Sequence, residues 1–146
     1  MIGATFDINL LASGFIAISN PRSTPGELIR RWEQGEFELV VSQHISQGLA
    51  RVLQKPYFAA LVTSDELQRI DALLHQRAHF VVLTAQVRGV APDQNDDLVL
   101  STALSGQTEY LVTGDGKLRQ LVRYQSVRIL NPRQFLDLLQ AQRTIS

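Results

Sequence analysis

Three acidic motifs in this chain begin where apolar runs stop: Asp7 in Phe6-Asp7-Ile8-Asn9, Asp96 in Asp93-Gln94-Asn95-Asp96-Asp97, and Asp115 in Val112-Thr113-Gly114-Asp115. Carboxylates brought together repel one another, and a bound divalent cation removes that repulsion. Oxygen donors with few histidines favour a hard ion, Mg²⁺ or Mn²⁺, which keeps several waters. Such an ion can activate water and stabilise charge on a phosphoryl group. Phosphodiester hydrolysis is the chemistry this pattern points to. Taken singly, each Asp has a plainer reading as a turn or capping residue. A shared place beside one sheet favours the metal site over three separate caps.

The hydrophobic period alternates between strand-like runs and helical spacing, which predicts an α/β domain. Strands are expected over residues 2–6, 37–41, 80–83, 110–113 and 127–130. Between them lie helical stripes, including Leu10, Leu11, Gly14 and Phe15, and Ile45, Leu49, Val52 and Leu53. Thr24-Pro25-Gly26-Glu27 and Thr63-Ser64-Asp65-Glu66 read as capped helix starts, and Asn131-Pro132-Arg133-Gln134 opens a last helix. Helices between successive strands favour a parallel sheet, whose ligands sit outside the carboxyl ends of the strands. Asp7 and Asp115 fall at such ends. Asp96 shares a helical face with Val99, Leu100 and Ala103, so burial of that face turns its carboxylate inward, near a helix N-terminus that favours negative charge.

The whole of 1–146 reads as one domain, with 143–146 as a frayed tail. Lys plus Arg and Asp plus Glu both total 14, so no overall basic field announces nucleic acid. Contact with such a partner must be local, and Arg22, Arg88, Lys117, Arg119 and Arg123 are candidates for phosphate contacts. The absence of Cys excludes thiol chemistry and disulfides. No apolar run approaches the roughly 20 residues of a membrane span. A soluble, cytoplasmic protein without membrane contact is expected. Nucleophile-elbow and phosphate-loop spacings are absent, which disfavours serine hydrolases and nucleotide-binding enzymes. An acidic phosphohydrolase of another kind would favour Asp-x-Asp after the first strand, where this chain has Asp7-Ile8-Asn9.

The order and spacing of these motifs resemble the PIN-domain ribonucleases, especially the VapC-like toxins of bacterial type II toxin-antitoxin modules. The likeness runs through Asp7-Ile8-Asn9, the segment from Phe37 to Ser42, Asp93 to Asp97, Tyr110 to Asp115 and the helix start at Asn131-Pro132. It implies a three-layer α/β/α fold with a parallel five-stranded sheet ordered 3-2-1-4-5. It further implies a metal-dependent endoribonuclease that cleaves RNA, a cognate antitoxin and a homodimer. Asp7, Asp96 and Asp115 match metal-binding catalytic acids. Asn9 matches a polar residue supporting the first Asp, and Thr113 a hydroxyl near the site. Asp93 and Asp97 are outer supporting groups by the same comparison, Asp97 being read as a solvated acid of the first helical turn.

The chain departs from that pattern at Gly48, where a Glu is usual in the helix after strand 2. It departs again at Ile8, where Thr is common, and at Lys117, where an acid often follows Asp115. Gly48 leaves two expectations. Either a neighbour such as His44, one turn earlier, supplies the donor, or the domain is a weakened nuclease that binds RNA or protein. Restoring the acid by Gly48→Glu is expected to tighten binding of Mg²⁺ or Mn²⁺.

Overall fold

A computed structural model describes residues 1–91 and 93–145. The elements in chain order are β1 (Gly3–Phe6), α1 (Ile8–Ile16), α2 (Thr24–Glu33), β2 (Glu38–Val41), α3 (Gln43–Leu53), α4 (Pro56–Ala59) and α5 (Ser64–Arg77). They continue with β3 (His79–Phe80), α6 (Gln94–Ser105), β4 (Tyr110–Val112), α7 (Gly116–Arg119), β5 (Arg123–Tyr124), β6 (Val127–Leu130) and α8 (Pro132–Ile145). The sheet order is β3-β2-β1-β4-β6-β5. All pairings are parallel except β5 with β6. The expected order 3-2-1-4-5 is present with β6 as its fifth strand, and a short antiparallel strand is added at the edge. The turn between β5 and β6 is Gln125-Ser126, with Gln125 at φ 52°, a conformation usually given to Asn or Gly.

β1 lies between β2 and β4, in register Ala4 with Leu39 and Ala4 with Tyr110. Both faces of β1 are covered, since Ala4 and Phe6 on one side and Thr5 on the other are fully buried. Phe6, Phe37 and Phe135 form a cluster with ring centroids 5.1–5.8 Å apart. It ties β1 to α8, each aromatic pair adding about 0.5–1.5 kcal/mol beyond its buried area. Trp32, Phe15 and Phe37 are core residues, as their spacing indicates.

One helix start differs in detail from the expected one, and two agree with it. Ser23 rather than Thr24 caps α2, accepting from the Gly26 N–H at 3.0 Å, and Glu27 pairs with the buried Arg31 at 3.2 Å. Thr63 and Glu66 form the reciprocal capping box at the start of α5. Asn131 and Gln134 exchange equivalent bonds of 2.7 and 2.8 Å at the start of α8. α8 continues to Ile145, beyond the fraying expected from Arg143, and Ser146 lies outside the described residues. Among the described residues, no helix is long and apolar enough to cross a membrane.

The third strand is shorter than its sequence suggests. Only His79 and Phe80 pair with Val40 and Val41, because β2 ends there and Ser42 begins the next helix. Val82, read as part of the strand, is 83 % exposed. The chain then runs along α6 as an irregular strap, and its backbone donors are taken by side chains of that helix.

Candidate active site

The carboxyl ends of β1 and β4 place Asp7 and Asp115 side by side. β1 pairs with β4 through Phe6 and Val112, and the Asp7 N–H donates to the Val112 carbonyl at 3.1 Å. Each Asp also caps the helix that follows it. The Leu10 N–H donates to Asp7 Oδ1 at 2.7 Å, and the Lys117 N–H donates to Asp115 Oδ1 at 2.8 Å. Thr113 links the two. Its hydroxyl donates to Asp7 Oδ2 and accepts from the Asp115 N–H at 2.9 Å. The capping and site readings are therefore compatible, because the bonds that start each helix also fix a carboxylate at the sheet edge.

Asp96 reaches the same place from the first turn of α6, which Asp93 caps through the Asn95 N–H at 2.8 Å. Asp7, Asn9, Asp93, Asp96 and Asp115 line one crevice of about 430 Å³ with Ile8, Gly48, Arg51, Val52, Lys55, Asn95 and Val99. Asn9 is exposed at its rim and makes no hydrogen bond to Asp7, whose oxygens are engaged by Leu10 and Thr113.

The electrostatics record the crowding. Burial pushes the Asp7 carboxyl above the usual range, against the bonds from Thr113 and Leu10, and the nearby Asp115 charge adds to the rise. Burial also raises Asp96, to about 6, followed by repulsion from Asp115, Asp93, Asp7 and Asp97. Acids that resist ionisation together gain most from a cation. Among the described residues, no three acidic or histidine side chains converge tightly enough to cage an ion by themselves. The donor set fits a hydrated hard ion held by one or two carboxylates, waters and a ligand phosphate, as is usual for Mg²⁺.

Asp97 corrects the expectation of a solvated acid. It is 5 % exposed and accepts the N–H groups of Gly89, Val90 and Ala91 at 2.9, 3.2 and 2.7 Å. One turn on, Ser101 Oγ accepts from the Val87 N–H at 2.9 Å. A further turn on, Ser105 Oγ accepts from Thr84 and Ala85 at 2.9 and 3.1 Å. This ladder at i, i+4 and i+8 satisfies the backbone of the strap preceding α6. Asp97→Ala should destabilise the domain by about 1–3 kcal/mol, because three part-buried backbone donors lose their carboxylate acceptor. Urea unfolding checks the magnitude. Hydrogen exchange should show the loss of protection centred on residues 87–91.

Gly48 and Ile8, two departures from the pattern, touch. A Cβ built at Gly48 would lie 2.4 Å from Ile8 Cδ1. Ile8 therefore occupies the space from which α3 would present a longer side chain. His44 is not among the residues that line the crevice. Burial first, then the Arg51 charge, lowers its pKa, and its Nε2 is buried without a hydrogen-bond partner.

The cations singled out in the sequence also lie elsewhere. Arg22, Arg88, Lys117, Arg119 and Arg123 are absent from the crevice lining, whereas Arg51 and Lys55 are present. Gly48, Arg51, Val52 and Lys55 follow i, i+3, i+4, i+7 spacing along and just past α3, a signal that was available once Gly48 had been placed at the site.

Residues 4–117 match the family model described as PIN domain. The chain belongs to the PIN domain family. The fold comparison agrees: a chain in the crystal structure of VapBC2 from Rickettsia felis, bound to a DNA fragment from their promoter, aligns with a TM-score of 0.59 at 15 % identity. The alignment covers 89 % of this chain and 98 % of that one. No curated protein matches the sequence. Within the PIN domain, the parallel strands β1 and β4 bring Asp7 and Asp115 together, and α6 adds Asp96.

Proposed function

We propose that this PIN domain is a metal-dependent endoribonuclease, the toxin of a toxin-antitoxin pair acting on RNA in the cytoplasm. The observation that carries the reading is the crevice at the ends of β1 and β4, where burial and then the neighbouring Asp115 charge raise the proton affinity of Asp7 and Asp96. These acids would hold Mg²⁺ or Mn²⁺, which when bound activates water and draws charge from the scissile phosphate. Asp7 and Asp115 are held in place by Thr113, and Asp96 by the first turn of α6, with Asp93 capping that turn. Asn9 at the rim is placed to touch the substrate strand. Likeness to VapBC2 supports an antitoxin partner, and the family resemblance supports a homodimer.

A second reading, an RNA- or protein-binding module without turnover, has one observation in its favour: α3 offers Gly48 and no acid to the crevice.

The test is cleavage of mixed-sequence RNA in Mg²⁺ or Mn²⁺ over a range of pH. Asp96 must lose its proton to bind the ion, so with the ion held below saturation cutting should rise with pH up to about 6 and level off above. Without an ion, the stability effect runs the other way. The folded state raises the Asp96 pKa, so its stabilising contribution is full below 3.8 and lost as pH rises through about 6. Equal rates at pH 4.5 and 7 would remove Asp96 from the ion site. Folded protein that cuts nothing with either ion would favour the binding module.

A further inference from the structure

The crevice has two unlike walls. One carries Asp7, Asp93, Asp96 and Asp115, and the other is a face of α3 and its continuation carrying Gly48, Arg51, Val52 and Lys55. α3 contains no acidic residue. Arg51 and Lys55 make no ion pair among the described residues, although four carboxylates line the same space. The two walls therefore stand apart without neutralising each other, leaving room for a ligand that is anionic toward α3 and can share a cation with the acids. A phosphodiester has both properties.

We propose that Arg51 and Lys55 are the phosphate-holding residues of this site, gripping the RNA backbone from the wall where a further carboxylate would otherwise stand. The proposal rests on the reading of the protein as an RNA-acting domain and assigns the side of the crevice on which the strand lies. An acid at position 48 would sit one turn from Arg51 and pair with it. Gly48, covered by Ile8, leaves that guanidinium available. Arg51 offers a planar fork matched to two phosphate oxygens, and Lys55, about one turn further along, a compact charge for a neighbouring phosphate. Both side chains are exposed, so replacing them leaves the core untouched.

The test is anisotropy of a fluorescein-labelled, mixed-sequence single-stranded RNA titrated with the full chain over a series of salt concentrations. Ca²⁺ is supplied as an oxygen-seeking ion of looser geometry. Wild type is compared with the double variant Arg51→Gln, Lys55→Gln and with the charge-keeping pair Arg51→Lys, Lys55→Arg. The expected result is a Kd at least about tenfold weaker for the Gln pair, with the slope of log affinity against log salt shallower by about 1.4. The charge-keeping pair should retain the wild-type slope. If the Gln pair binds with wild-type affinity and slope, the proposal is overturned while RNA binding stands. If wild type binds no RNA, the functional reading beneath it falls.

Discussion

Asp7→Asn should lower ion-dependent RNA cleavage by at least about a hundredfold and, at pH 7, raise the unfolding temperature. Both effects follow from one carboxylate. Asp7 is 7 % exposed, and burial raises its pKa, so the ionised form carries a cost in the folded state. A raised acid stabilises the fold fully below 3.8, and that contribution is lost as pH rises through the folded value. Asn carries no charge, remains a good N-cap and can keep the bond from the Leu10 N–H. Its amide can donate to Thr113 Oγ1 where the carboxylate accepted. What Asn cannot supply is an anionic ion ligand, a loss of several kcal/mol in transition-state stabilisation. Thermal unfolding at pH 7 and near pH 3, beside cleavage rates, separates the effects. The gain in stability should be present at pH 7 and vanish at the acid end. Such an exchange of stability for activity is expected where like charges are held together for function.

Gly48→Glu should not simply restore a stronger site. The new Cβ would meet Ile8 Cδ1 at 2.4 Å, and Cγ1 at 3.3 Å, so Ile8 must leave its position. All the atoms met belong to one half-buried side chain beside the crevice, so the cost falls at the low end of overpacking, about 1 kcal/mol, against about 0.5–1 kcal/mol gained by removing Gly from a helix. The single change is expected to be close to neutral in stability, with Ile8 displaced. Ile8→Thr removes the obstructing methyl, so the two changes should couple favourably by about 0.5–1 kcal/mol. It should also bind Mn²⁺ about tenfold more tightly than wild type. Urea unfolding of the four proteins in the cycle, followed by Mn²⁺ titration, measures both quantities. Additive stabilities would show that Ile8 and Gly48 do not constrain each other. In this chain the Ile8 side chain fills the space that the absent side chain at 48 leaves open.

Much of the frame was legible because parallel strands buried on both faces read as apolar runs, and helix caps have local signatures. Asp7 and Asp115 could be placed beside each other once β1 and β4 were ordered as neighbours. The turn at Gln125-Ser126 was not legible, because a positive φ at Gln125 has no Gly or Asn to mark it. The run from Phe80 to Leu83 misled because apolarity does not show that β2 has ended. Asp97 looked like a surface acid because its ligands are backbone N–H groups of a loop, which no periodicity reveals. Arg51 and Lys55 carry no distinguishing mark in the sequence, because charges on a helix face usually point to water. Only the crevice they share with the carboxylates distinguishes them.

The most direct test of the carboxylate site is cleavage of a mixed RNA pool by wild type, Asp7→Asn, Asp96→Asn and Asp115→Asn, each confirmed folded, in EDTA, Mg²⁺ and Mn²⁺. The account predicts cutting by wild type only with a divalent ion, lost in all three variants. Cutting that persists in EDTA, or survives in the variants at wild-type rate, would contradict it.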